Sequence, residues 1–544
     1  MPVTSSHTRS NILNTLVHRI NSFTDGYRQN IAIIGEPYIG KTSLIKTVLS
    51  SSDLKKDTII PIYLEIKIEP FEFCAKRFIK SALYQLLQSD PLLAVPYDTL
   101  LLIDDLKRSY PKTAQVCLRV LQDLEKGRTE EAYSFMMDIP AIISEESKKR
   151  CVLILDEFHN LGNFMLKHPF AMLAKKIMIQ KDTMCLLISS KSTLSQRILD
   201  EKLSMLFGNF ERIILPSFDI NMSRAYLQDN IKGALFPRVC LDFIASFVGN
   251  KPLYMQIICD EIERAVFSRK IDPQDYSALI ESSLTETIFK KTGVINQLFL
   301  SIFSKVSDDK LLSRSAAVLI ALSCENRKQH DITKASGLQA RDVSKILNRL
   351  TEMDIIARNG SFCRFKEKLF SFWLHSVYMK RLLSFSIDET LENDRFKREV
   401  VSRLEFFIKE FEKGLSLRIE DLFRSFKNDV IQLNGKKHKF LSFDDVSRIE
   451  GDFCNSMNIM AGNSKVKWLC TVKKEYVTEN NIIEIIKTIK AKKWDKKINR
   501  NILISLVGIN ENAYLLAKEA RFWVWDLESL NILMELYGKP YILS

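Results

Sequence analysis

No stretch of this 544-residue sequence stays apolar for the length of a bilayer crossing, so no membrane-spanning helix is expected. The opening MPVTSSHTRSNILNTL lacks the apolar core of a secretory signal. The ten cysteines are scattered without a Cys-x-x-Cys pair, so the sequence suggests neither a zinc site nor a disulfide framework. These features fit a reduced cytoplasmic compartment and no membrane partner. Low-complexity tracts and obvious repeats are lacking as well. What is present is ordinary globular material, with 46% hydrophobic residues and a length that allows about three or four domains. The net charge of +13 suits either an anionic partner or simply a soluble surface.

One stretch, IAIIGEPYIGKTSLIKTVL from Ile31, carries a specific chemistry. Ile31 to Ile34 read as a short buried strand, and Lys41 to Leu49 as a helix. Between them Gly35, Glu36, Pro37, Tyr38, Ile39 and Gly40 form a loop that must curl around an anion, and glycine allows the backbone angles this needs. The helix start at Lys41, Thr42 and Ser43 points free N–H groups back at the loop and favours negative charge. Gly35-x-x-x-x-Gly40-Lys41-Thr42 is therefore a P-loop pattern in its strand–loop–helix setting. In that reading Lys41 reaches the β- and γ-phosphates of ATP, and the Thr42 hydroxyl sits on Mg2+.

CVLILDEFHNL supplies the second half of such a site. Cys151 to Leu155 read as a central parallel strand, with Asp156 at its carboxyl end, where ligands bind in open α/β sheets. Asp156 would hold the Mg2+ shell, and Glu157 would polarise the attacking water. Thr58 to Ile66, Met184 to Ile188 and Arg212 to Leu215 read as further strands, and Phe71 to Ile143 as largely helical. Ser189 and Ser190 end one strand, where they either sense the γ-phosphate or form a turn.

With these motifs, followed by SFVGNKPLYMQII, the sequence resembles the archaeal-type ATPases of the STAND group, within the wider AAA+-like class. The resemblance implies an α/β fold: a P-loop NTPase core with a parallel sheet (1–220), a helical lid (221–300), a winged helix-turn-helix (301–385) and a C-terminal domain (386–544). It implies that Gly249 and Pro252 form the lid's Gly-x-x-Pro element, with Asn250 and Lys251 between them. Two departures stand out. Arg9 lacks the acid that usually follows it, and Asn209 stands where the family often has an arginine, leaving Arg212 to substitute or the role to be lost.

SRSAAVLIALS, DITKASGL and QARDVSKILNRLTEMDII read as a helix-turn-helix with Gly337 in the turn, and IIARNGSFCRF as the hairpin of a wing. On the third helix Val343, Ile346, Leu347 and Leu350 share one arc, and Arg341, Lys345, Asn348 and Arg349 the other. The basic arc suits duplex DNA or is the solvated face of a module that binds a protein partner. The charged SIDETLENDRFKREV reads as a linker. The order of elements beyond it resembles the restriction-endonuclease-like fold, an α/β domain. An active member needs one acid, here Asp452 with Glu450 beside it, and then Glu-x-Lys on the next strand, where this sequence has Thr471-x-Lys473. Threonine supplies no charge to a metal, so the resemblance implies a relic. The basic run Lys490 to Arg500 is either an anion contact or solvated surface.

The whole reads as an ATP-binding and ATP-hydrolysing switch of the STAND/AAA+-like kind acting on DNA. The alternatives are a DNA-binding module with ATP as a structural ligand and an ATP-dependent nuclease.

Overall fold

Asn30–Ile34 (β1) is buried at every residue, and its side chains divide by period two. Ile31 and Ile33 join a core on one face of a sheet, and Ala32 and Ile34 a core on the other. A strand buried on both faces belongs at the centre of a parallel sheet. The computed structural model, which describes residues 5–88, 98–203, 210–268, 271–307, 312–324, 327–383, 389–433, 435–449, 456–492 and 498–542, places it there. Among these residues β1 pairs in parallel with Thr183–Ser189 (β4) on one side and Phe210–Ile214 (β5) on the other. Ile59–Glu65 (β2) and Arg150–Asp156 (β3) complete a five-stranded sheet of order β2-β3-β4-β1-β5. One face is covered by the helices Ser5–Thr24 and Lys41–Ser50. The other lies under a helical layer that includes Phe71–Gln88, Thr99–Leu106, Pro111–Glu125, Thr129–Met136 and Ile139–Ser147.

Ser5–Phe218 form one compact unit, to which Lys251–Leu253 also belong. Asp219–Asn250 and the chain from Tyr254 onward form the second. The ranges expected as lid, winged helix and C-terminal domain thus fall largely within one unit. In it the helix Ala340–Glu352 is followed by an antiparallel hairpin, Ile356–Asn359 (β6) and Phe362–Phe365 (β7). A second hairpin comprises Asp429–Leu433 (β8) and Lys436–Phe440 (β9). A mixed sheet then orders Asp445–Arg448 (β10), Met457–Gly462 (β11), Lys467–Lys473 (β12), Arg500–Ser505 (β13) and Phe522–Asp526 (β14). Its first three strands pair antiparallel and its last three parallel.

One expectation is corrected here. The charged segment expected as a linker runs into the helix Glu389–Glu412. Phe396, Val400 and Leu404 are buried along it at helical spacing, and the Phe396 ring packs 5.3 Å from Phe289 and 5.7 Å from Phe372. Its charges are the solvent face of an amphipathic helix.

Phe362 of the hairpin is buried in the core of the C-terminal sheet, with Phe423, Phe440 and Trp525. Phe362→Ala is expected to cost about 3–5 kcal/mol of the stability of this unit. Urea denaturation followed by emission of the tryptophans in that core checks it, and an unchanged midpoint would contradict the packing.

Candidate functional site

The loop after β1 folds as its glycines dictate, with one addition. Gly40 takes a left-handed backbone (φ 87°) and caps the helix Lys41–Ser50 without a side-chain hydrogen bond, so the cap residue itself leaves the first amides unoccupied. Gly35 is required by proximity: a Cβ there would stand 2.5 Å from Ile39 Cδ1 and 2.7 Å from the Leu215 carbonyl. Tyr38, although not glycine, is also left-handed (φ 68°). The buried Lys41 ammonium donates to the carbonyls of Gly35 (3.0 Å) and Glu36 (2.8 Å) inside its own loop, and burial lowers its pKa.

The Thr42 hydroxyl donates to Asp156 Oδ2 (2.9 Å), joining the loop to the end of β3. Tyr63 on β2 donates to the same oxygen (2.8 Å), and the Glu157 amide donates to Oδ1 (2.9 Å). Burial, followed by the Asp156 charge, pushes the Tyr63 phenol well up. Tyr63 has no signal in the sequence beyond its place in a strand.

Glu157 sits in a left-handed conformation (φ 54°). Its Oε2 accepts from the Ser190 amide (3.0 Å) and hydroxyl (2.8 Å) and lies 3.3 Å from His159 Nδ1. Burial raises its pKa, against the opposing hydrogen bonds from Ser190. Ser189 is fully buried. Its hydroxyl shares a hydrogen bond with His159 Nδ1 (2.8 Å) and accepts from the Ser195 hydroxyl (2.6 Å) and the Lys191 amide (3.1 Å). The two serines therefore divide: Ser190 holds Glu157, and Ser189 holds the turn beside it.

Arg212 does not reach this site. It pairs with Ala32 in the β1–β5 register, back along the strand from the loop, and its guanidinium bonds Asp200 (2.6 Å) at the surface. Asn209 lies outside the described residues. The arginine that does reach the loop is Arg9, which donates to the carbonyls of Ile39 (2.8 Å) and Pro216 (2.6 Å) and stacks 4.4 Å over Phe218. Burial pushes its pKa down to about 10.

The Gly-x-x-Pro element brings a lysine. Gly249 (φ 69°) and Asn250 (φ 56°) are left-handed, and Pro252 opens the helix Pro252–Phe267. Between them the buried Lys251 places Nζ 3.3 Å from Glu36 Oε2 of the loop. In the sequence Lys251 is inconspicuous, because the motif around it is defined by two residues with special backbones.

Outside this site, Arg341 and Lys345 are exposed on the helix Ala340–Glu352 and Arg349 is half-buried, opposite the buried Val343, Ile346, Leu347 and Leu350. In the C-terminal sheet Asp452 and Glu450 lie outside the described residues. The residue facing Thr471 across the β11–β12 ladder is Asn458, and the buried Thr471 hydroxyl donates to its Oδ1 (2.9 Å). Lys473 follows, also buried. Both facing positions at this end of the ladder are thus neutral amide and hydroxyl, which suit a divalent cation poorly.

Sheet order, loop and acidic strand together are those of a P-loop NTPase core, accompanied by a C-terminal mixed-sheet domain. No family model and no curated protein matches the sequence. Among solved structures the chain is distantly similar to the Walker-type ATPase PABY2304 of Pyrococcus abyssi, at 13% identity and a TM-score of 0.47 over 67% of this chain and 95% of that one. It is also similar to the ORC2 protein of Aeropyrum pernix in its ADPNP–ADP complexes, at 12% identity and a TM-score of 0.42 over 74% and 94%. A third likeness is to the RuvB Holliday junction branch migration motor of Thermotoga maritima, at 13% identity and a TM-score of 0.33 over 68% and 94%.

Plasmid incubated with the chain, Mg2+ or Mn2+, and ATP is expected to stay intact. Asn458→Asp combined with Thr471→Glu is expected to create Mn2+ binding that calorimetry detects. Cutting by the parent would show that acids from outside these two positions complete a live site.

Proposed function

We propose that the protein binds and hydrolyses ATP with Mg2+ as a switch of the STAND/AAA+-like kind, and that its second unit acts on duplex DNA through Arg341, Lys345 and Arg349. The supporting observation is the Thr42–Asp156 hydrogen bond, which sets the loop against the acidic strand. The bonds that Lys41 makes to Gly35 and Glu36 are those a phosphate would replace. Thr42 and Asp156 offer the oxygen donors that a hard divalent cation takes, and such a cation would offset phosphate charge when bound. Glu157 would serve as general base once its carboxylate leaves Ser190. Lys251 would exchange Glu36 for phosphate, and because the segment Lys251–Leu253 is flanked by chain of the second unit, that exchange would pass along the backbone. The same reading assigns 1–220 to the ATPase core, 221–300 to a lid, 301–385 to a winged helix and 386–544 to a nuclease relic or docking domain that takes a protein partner. It also assigns the protein to the cytoplasm.

A second reading, nucleotide held as a structural ligand without turnover, is favoured by the two hydrogen bonds that fix Glu157 Oε2.

Lys41→Ala is expected to abolish ATP binding in calorimetry with the circular dichroism unchanged; equal affinity would sink the proposal. Glu157→Gln is expected to keep ATP bound while turnover falls at least about 10²-fold. No detectable turnover in the parent would favour the second reading. Because burial raises the pKa of Glu157 and the base must be ionised, turnover should fall on the acid side at a higher pH than an ordinary carboxylate would give. The residual rate of Glu157→Gln should lack that limb.

A further inference from the structure

The hairpin β6–β7 follows the helix Ala340–Glu352 where a wing is expected, yet its tip is occupied. The Ser361 amide donates to the Val430 carbonyl of β8 (2.9 Å), and its hydroxyl to the same oxygen (3.2 Å). Asn359 donates to the Gln432 carbonyl (3.0 Å) and accepts from the Gln432 amide (2.6 Å). Gly360 between them is left-handed (φ 59°), and a Cβ there would stand 1.9 Å from the Val430 oxygen. Phe362 next to the tip is buried, 5.5 Å from the Tyr537 ring. A tip lying flat on another strand, with its first ring in a core, cannot enter a groove of nucleic acid without being torn out.

The strand beyond it is differently made. β9 pairs with β8, Lys437 opposite Gln432 and Lys439 opposite Val430. Lys436, Lys437 and Lys439 are exposed, as are Val430 and Gln432, whereas Asp429, Ile431 and Leu433 are buried. No carboxylate answers the lysines from within the two strands. Their one acid, Asp429, accepts from the Tyr537 hydroxyl (2.6 Å) and pairs with Lys328 (2.5 Å). The face shared by Val430, Gln432, Lys437 and Lys439 is therefore basic and carries no acid of either strand, with Lys436, on the other face by alternation, exposed where β9 begins, and the ribbon is reached from the helix Ala340–Glu352 through one docked hairpin.

We infer that the β8–β9 ribbon does the work of the wing: Lys437 and Lys439 on its outer face, with Lys436 at its exposed end, contact backbone phosphates of duplex DNA alongside those met by Arg341, Lys345 and Arg349. This rests on the DNA reading proposed above. Phosphate contacts from such a strand position the protein on the duplex and carry no sequence preference.

The test is fluorescence anisotropy of a mixed-sequence duplex with the full chain across a series of KCl concentrations. Replacing Lys436, Lys437 and Lys439 together by Ala should weaken binding at least about tenfold near 0.1 M salt and flatten the log–log slope by roughly one unit for each phosphate no longer neutralised. Replacing all three by Arg, which keeps the charge, should restore both. If the parent binds and the Arg341, Lys345 and Arg349 to Ala variant loses slope while the β9 variant keeps it, the ribbon is overturned and the DNA reading stands. If the parent binds no duplex, both fail. A β9 variant that only self-associates, with its slope unchanged, would show lysines guarding an open strand edge, and would overturn the inference as well.

Discussion

Asp156 is the point at which the unit that holds the five-stranded sheet is tied together. Its two oxygens accept from the Thr42 hydroxyl, the Tyr63 hydroxyl and the Glu157 amide, so the loop after β1, the middle of β2 and the end of β3 meet on one carboxylate. A carboxylate this buried costs several kcal/mol unless hydrogen-bonded, and here each donor that satisfies it comes from a different element or from its own chain neighbour. The geometry of the loop follows from that economy of donors. Thr42 must point at β3, which turns the helix start toward the sheet and leaves Lys41 to find its partners in the loop carbonyls.

The second unit uses carboxylates in a similar way, the partly buried Glu535 and the buried Asp429, but to fasten modules together. Arg364 donates to both oxygens of Glu535 (2.9 Å each), and Lys368 lies 3.6 Å from it and 3.6 Å from the Tyr541 ring. Burial pushes Lys368 down to about 8. Burial also works to raise the Glu535 carboxyl, but the charges of Lys368 and Arg364 outweigh it and hold the pKa below the usual range. Arg364 and Lys368 are each about a third exposed, so solvent screens the cluster and losing one cation costs less than it would in a fully buried pair. With Asp429 held by Lys328 and Tyr537, this makes the hairpin β6–β7 a structural part of the C-terminal sheet domain.

What is plain in the sequence is what local pattern determines. β1, β3 and β4 are unbroken apolar runs, and a glycine-bracketed loop or an acid pair directly follows two of them. The basic arc of the helix Ala340–Glu352 is equally legible, since helical period alone separates it from Val343, Ile346, Leu347 and Leu350. What stays hidden depends on partners distant in the chain. Nothing local to Tyr63 distinguishes it from a strand filler; its function as a donor exists only because β2 lies beside β3. Asn458 is hidden for the same reason, because the ladder register, and not the nearest acid in the sequence, decides which side chain faces Thr471. Arg212 misleads in the opposite direction: its sequence position suggests the site, but the β1–β5 register leaves it too far back along the strand. In the helix Glu389–Glu412 charge density masks an apolar stripe of correct period, so a linker is expected where a helix packs.

The loop's electrostatics explain why Lys251 matters more than its place between Gly249 and Pro252 suggests. Around Gly35–Gly40 stand the cations Arg9, Lys41 and Lys251 and the anions Glu36, Asp156 and Glu157. Lys251 meets the loop through a direct salt bridge to Glu36, whereas Lys41 bonds carbonyls and Arg9 bonds carbonyls and a ring. A polyphosphate entering the loop would place its charge next to Glu36, and like charges at short range in a partly buried site repel strongly. The half-exposed Glu36 can swing to water, whereas the buried Lys251 cannot follow it without exposing its ammonium to solvent and unpacking its stem. Under the proposed function the carboxylate is therefore the part that yields, and the lysine is the part that stays and changes partner. The lysine also opens the three-residue segment Lys251–Leu253, which chain of the second unit flanks at Asn250 and Tyr254.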